Sequence, residues 1–140
     1  MKLLTKETDY VVRAVLNLAV NNKNGFVSSR EIADKENIPF PFLRRILQRL
    51  IKEGIVESKE GIGGGVKLHA RPGAVRISDL IKIFQGDIKI SQCKFRNRLC
   101  ENRRKCVLRR RLLKIEEKLA REFEKITVES LLRDLKGGAR

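Results

Sequence analysis

Between Tyr10 and Val20 the apolar residues recur at helical spacing, with Val11, Val12, Leu16 and Val20 on the stripe and alanines between them, and Asn21 to Gly25 supplies a stop. This predicts a first helix. Ser28 and Glu31 have the spacing of a capping box, which predicts a short second helix to about Glu36. Asn37, Ile38 and Pro39 read as a turn. Leu43, Ile46, Leu47 and Leu50 then mark the buried stripe of a third helix ending at Gly54, with Pro39 and Pro41 acceptable only in its first turn. Ile55 to Ser58 and Val66 to Leu68 read as two short strands around Gly61, Gly63, Gly64 and Gly65. Ser78 to Phe84 predicts another short helix, stopped by Gly86. From about Val107 the positions Leu108, Leu112, Ile115, Leu119, Phe123 and Ile126 advance in steps of three and four, the spacing of a packed helical seam. Thr127 can cap a last helix through Leu135.

The polar side of the third helix carries Arg44, Arg45, Gln48, Arg49 and Lys52. A short helix, a tight turn and a cationic helix are the sequence form of a helix-turn-helix, whose second helix lies in the major groove. An amphipathic helix with a solvated basic face has the same pattern in isolation. The glycine-tipped hairpin that follows makes the winged helix the better account. No Gly-Lys-Ser/Thr follows the glycines and both flanks read as strands, so they do not form a phosphate-binding loop. The predicted fold is mainly α with a small β wing: a winged helix-turn-helix head over 1–85, a cysteine-containing loop over 86–106, and a long C-terminal dimerisation helix with its tail over 107–140. That helix is too long to bury its stripe on a small head, so a helix from a second subunit is its natural cover.

Charge sharpens this picture. The 140 residues carry 32 Lys and Arg against 17 Asp and Glu, a formal net charge of +15. Such a surface makes a polyanion the default partner, nucleic acid ahead of an anionic membrane surface. No apolar run reaches the length of a membrane span, and the longest candidate is broken by Arg13 and Asn17. With no signal-peptide pattern either, a cytoplasmic protein is expected. His69, the single histidine, reads as an exposed strand residue, and no Ser-His-Asp set, HExxH motif or P-loop is present. An enzyme is not expected.

The three cysteines, Cys93, Cys100 and Cys106, fall in one short basic stretch; from Cys93 through Arg111 nine Lys or Arg face one acid, Glu101. An odd thiol number in a reducing compartment argues for a ligand site or a redox thiol set over structural disulfides. The gaps do not match the tight Cys pairs usual at zinc.

Four features together resemble the IscR/NsrR family of bacterial winged-helix regulators, over Met1 to about Leu135: the Thr8-Asp9-Tyr10 start, the Ile38-Pro39-x-x-x-Leu43 entry to the third helix, the Gly61 to Gly65 wing and the spaced cysteines. The resemblance implies a homodimer whose long helices cross and whose heads grip a palindromic operator in double-stranded DNA. It implies one iron-sulfur cluster per subunit, 4Fe-4S or 2Fe-2S, on Cys93, Cys100 and Cys106, controlling promoter binding by a regulator that is expected to be a repressor. A histidine that completes the cluster in one branch is replaced here by Arg109, which cannot ligate a metal. In the nitric-oxide-sensing branch an aspartate from the other subunit does so, and Asp9 stands at the matching position, with Glu7 or water as the alternatives. The DNA-facing set implied is Ser28, Arg30, Pro41, Arg44, Arg45, Gln48 and Arg49, with Lys59, Gly63 and Gly64 from the wing. Glu60 stands where a basic residue usually precedes the first wing glycine. A cluster-free regulator of the same family, responding through thiol redox or a small molecule, is the alternative.

Overall fold

The computed structural model describes residues 3–90, 93–95 and 98–138. Helix α1 spans Lys6–Val20 and begins before its apolar stripe, because Thr5 caps it: the Thr5 hydroxyl accepts the Thr8 N–H at 3.1 Å. Asp9 therefore lies inside the first turn and not ahead of the helix. Helix α2, Ser29–Glu36, also departs from expectation at its start. Ser28 is the N-cap, but its side chain makes no capping hydrogen bond. Val27 and Val66 instead exchange two backbone hydrogen bonds of 2.8 Å, so sheet pairing sets the extended backbone that leads into α2. Asn37 ends α2 in the left-handed region with φ 52°, a conformation that asparagine tolerates better than most residues. Helix α3, Phe40–Lys52, follows with Pro39 as its N-cap and buries Leu43, Ile46, Leu47 and Leu50, the predicted stripe.

Strands β1, Val56–Lys59, and β2, Gly65–Leu68, pair antiparallel with Val56 opposite Leu68 and Lys59 opposite Gly65. Val27 extends this hairpin on its β2 side. The approach is close: Gly65 has φ 144° and a Cβ there would run into the Val27 carbonyl, so glycine is required at this crossing.

Helix α4, Ile77–Gln85, stops at Gly86 with φ 81°. The segment expected as a loop holds a two-residue hairpin, β3 Lys94–Phe95 with β4 Arg98–Leu99, and a short 3-10 turn over Glu101–Arg104. Helix α5, Val107–Lys125, is the long C-terminal helix, and α6, Val128–Lys136, begins at the predicted cap Thr127, whose hydroxyl accepts the Ser130 N–H at 3.0 Å.

The core gathers Val11, Val15 and Leu18 of α1, Ile32 of α2, the α3 stripe, Leu80 and Ile81 of α4, and Val128 of α6. Helix α6 thus returns to the head and packs on α1. A backbone clasp holds the junction in place, the Ile77 N–H donating to Ile126 and the Val128 N–H to Val75, each at 2.9 Å. By contrast, α5 buries none of its residues fully. Its lower end, Phe123 with Ile126 beyond it, packs against the core, whereas Leu108 and Ile115 are 62% and 46% exposed. The apolar seam read from the sequence is therefore divided, its last turn covered by the head and its first turns open.

Candidate nucleic-acid interface and cysteine centre

The division of α3 into faces follows the sequence. Leu43, Ile46, Leu47 and Leu50 point into the core, and Arg44, Arg45, Gln48, Arg49 and Lys52 are all exposed. Ser28, Arg30 and Pro41 are exposed at the helix starts beside them, and Lys59 and Gly63 are exposed on the wing. Gly64 is half-buried, and a side chain on it would collide with the Lys59 carbonyl, so it builds the wing turn whatever else it touches. Arg49 is paired with Glu53 at 3.3 Å and its charge is partly answered within the helix.

Aromatic rings that the sequence reading left out of the site organise these cations. The Arg30 and Arg44 guanidinium carbons lie 4.4 and 5.9 Å from the Phe40 ring centroid, Arg45 lies 4.7 Å from that of Phe42, and the Lys59 ammonium lies 5.9 Å from that of Phe26. Such contacts attract a cation to the face of the ring. The sequence signal was an aromatic next to a cationic helix face, at Phe40 and Phe42, but spacing alone does not say which cation stacks. Ile62, fully exposed at the wing tip, is a further residue without a core role.

The cysteine segment is anchored at three places. At its start, Gln85 joins the end of α4 to the start of α1: its Oε1 accepts from the buried Thr8 hydroxyl at 2.8 Å and the Thr5 N–H at 3.1 Å, and its Nε2 donates to Leu3 O at 2.8 Å. Next, the Ile90 N–H donates to Glu116 Oε1 on α5 at 2.8 Å. At its end Cys106 is the N-cap of α5, and its Sγ accepts the Arg109 N–H at 3.4 Å. A sulfur there meets the orphan N–H groups and positive dipole end of the helix, which favour negative charge.

The hairpin sits between these anchors. The Cys100 N–H donates to Cys93 O at 2.8 Å, and Cys93 itself is left-handed with φ 46°, a conformation uncommon outside glycine, asparagine and aspartate. All three thiols are free of disulfides and half-buried. A cavity of about 140 Å³ beside Cys93 is lined by Lys89, Arg103, Arg109, Leu112, Leu113 and Glu116.

The donor set fits an iron-sulfur cluster in kind: three thiols in a cationic setting, one of them at a helix N-terminus. They share one segment but do not converge; among the described residues no group of three or more His, Cys, Asp or Glu is placed to hold a metal ion. Asp9 is not brought to them within the protomer. Its carboxylate is exposed and accepts from Arg13 Nη2 at 2.7 Å.

The family model described as Rrf2, iron-dependent transcriptional regulator, matches residues 4–134. The chain belongs to the Rrf2 family of transcriptional regulators. The transcriptional repressor NsrR of Streptomyces coelicolor is 30% identical over 130 residues, 92% of this chain and 87% of that protein. Among solved structures, T. potens IscR superposes with a TM-score of 0.80 at 24% identity, covering 100% of this chain and 92% of that one. CymR, the global cysteine regulator of B. subtilis, superposes with a TM-score of 0.73 at 23% identity, covering 94% and 96%. These place the Rrf2 winged-helix fold on the whole chain and agree with the resemblance drawn from the Thr8-Asp9-Tyr10, wing and cysteine motifs. The matched proteins are regulators, not enzymes. No described helix is long and apolar enough to cross a membrane.

Proposed function

We propose that this Rrf2 regulator is a cytoplasmic homodimer that represses by occupying a palindromic DNA operator, and that an iron-sulfur cluster held by Cys93, Cys100 and Cys106 sets its affinity. The observation that carries the DNA reading is the exposed cationic face of α3, seated in a packed helix-turn-helix with a wing behind it. Arg44, Arg45 and Gln48 meet the major groove, while Ser28, Arg30, Pro41, Arg49, Lys59, Gly63 and Gly64 meet the backbone around it. The cysteine segment follows α4, whose last residue Gln85 is bonded to α1, and meets α5 through Glu116 and Cys106, so a change in it is placed to act on both the head and the long helix. When bound, the cluster supplies a centre that reacts with nitric oxide or oxidants.

Arg45→Ala tests the assignment of base reading. An Arg bidentate to guanine discriminates by roughly 1–3 kcal/mol. Titration of operator and scrambled duplexes is expected to show the variant losing its preference between them. An equal fall for both would make Arg45 a phosphate contact.

Asp9 of the partner subunit would supply the fourth ligand, since no fourth cysteine exists and Arg109 cannot serve. Within one protomer Asp9 is engaged by Arg13, an exposed pair worth little and easily exchanged. Asp9→Ala is expected to leave folding and dimerisation intact while changing cluster absorbance and its rate of loss in air. An unchanged spectrum and decay would exclude Asp9, and Glu7→Ala would then separate Glu7 from water.

The three thiols, none of them in a disulfide, also allow one second reading, a cluster-free thiol-redox regulator of the same family. Anaerobic purification with iron and sulfide counting decides between them. A colourless protein with full operator affinity moves the conclusion to the second.

A further inference from the structure

The ring of Phe40 is shared by two helices. Phe40 opens α3, and its ring is approached by Arg44 of the same helix and Arg30 of α2, at 5.9 and 4.4 Å from guanidinium carbon to ring centroid. Two like charges gathered on one exposed surface repel each other, and an acid between them would be the usual remedy. Neither makes such a pair: the ion pairs among the described residues use Arg13, Arg49, His69 and Lys125, not Arg30 or Arg44. Phe40 itself is half-buried and packs against the core, which fixes the ring while both guanidiniums stay at the surface. One packed ring thus holds two exposed guanidiniums, groups whose planar donors match the oxygens of a phosphate.

Resting on the DNA-binding reading, we infer that Phe40 is a positioning residue that holds Arg30 and Arg44 as a guanidinium clamp on the DNA phosphate backbone. Arg44 then meets the major groove at its phosphate edge, and base discrimination falls to Arg45 and Gln48. Arg45 stacks on a different ring, that of Phe42, which is 43% exposed and itself meets Tyr10 edge-on at 6.5 Å. The two aromatic supports separate two tasks. Phe40 serves affinity and register along the backbone; Phe42 aims the residue that reads sequence.

The test is Phe40→Leu, which keeps an apolar side chain in the packing and removes the π face, with Phe40→Tyr as the conservative partner. Binding to operator and scrambled duplexes is measured across a series of salt concentrations. Each phosphate contact contributes roughly 0.9 to the slope of log K against log salt. Phe40→Leu is expected to weaken both duplexes equally, by roughly two- to thirty-fold, the range of a cation–π contact. Its salt slope should be shallower by about one to two, the loss of one or two phosphate contacts, and Phe40→Tyr should restore both quantities. Wild-type binding by Phe40→Leu would overturn the inference, as would lost discrimination with an unchanged slope. If Phe40→Leu fails to fold, Arg30→Lys and Arg44→Lys carry the question, because lysine keeps the charge without the planar guanidinium. Full affinity and slope in both lysine variants would overturn the clamp. A wild-type protein that binds neither duplex would instead refute the DNA-binding reading itself.

Discussion

In the proposed homodimer, Leu112→Asp and Leu119→Asp are expected to give monomers or aggregates, an effect read by sedimentation. The stripe they belong to is only partly covered in the protomer: Val107 and Leu108 are 71% and 62% exposed, Leu112 is half-buried beside Cys93, and no residue of α5 is fully buried. Water contact for such side chains costs roughly 25 cal/mol per Å², which a second α5 relieves. A carboxylate placed in that seam must be desolvated at a penalty of several kcal/mol, so the dimer dissociation constant rises by at least about two orders of magnitude. The head keeps its own core, because Phe123, Ile126 and Val128 secure the far end of α5 and the start of α6. A folded monomer by circular dichroism is the outcome that separates loss of pairing from loss of structure. A charged variant that remains a dimer would move the interface to another element.

The variant with Cys93, Cys100 and Cys106 all changed to Ala loses the regulated part of operator binding. Coupling between a sensing site and a binding site is typically about 1–3 kcal/mol, or roughly 5- to 150-fold in affinity. The anchors named above give that coupling a route. Cys106 is the first contact of α5, Glu116 holds Ile90 against the middle of α5, and Gln85 links the same segment to Thr8 in α1. Metal ligation would fix the three thiols at one centre, and any movement of their segment is passed to these anchors. Equal operator affinity for the anaerobically purified wild type and the alanine variant would rule out the switch. Loss of iron from the wild type with no change in binding would do the same.

What was legible in the sequence was local and periodic. The α3 stripe from Leu43 to Leu50, the glycine-tipped wing, the Thr127 cap and the open seam of α5 each depend on a few neighbouring residues, whose spacing states which face is apolar and where the chain turns. The start of α1 was placed late because its first turn is held by a polar residue, Thr8, that is fully buried. A period counted in apolar positions does not register a threonine whose partner, Gln85, lies 77 residues along the chain.

Composition and motif by themselves determined that this chain is a basic winged-helix regulator with three cysteines in one segment. Tertiary structure decided the rest. It returned α6 to the head, where Val128 enters the core beside α1, and so divided the seam between intramolecular packing and an open face. It replaced the Ser28 capping box by strand pairing of Val27 with Val66, and it placed Arg30 and Arg44 on the single ring of Phe40. It also showed the cysteines on one segment without bringing their sulfurs to one point. These outcomes turn on contacts between residues far apart in the chain, where packing geometry selects among partners that sequence spacing leaves equivalent.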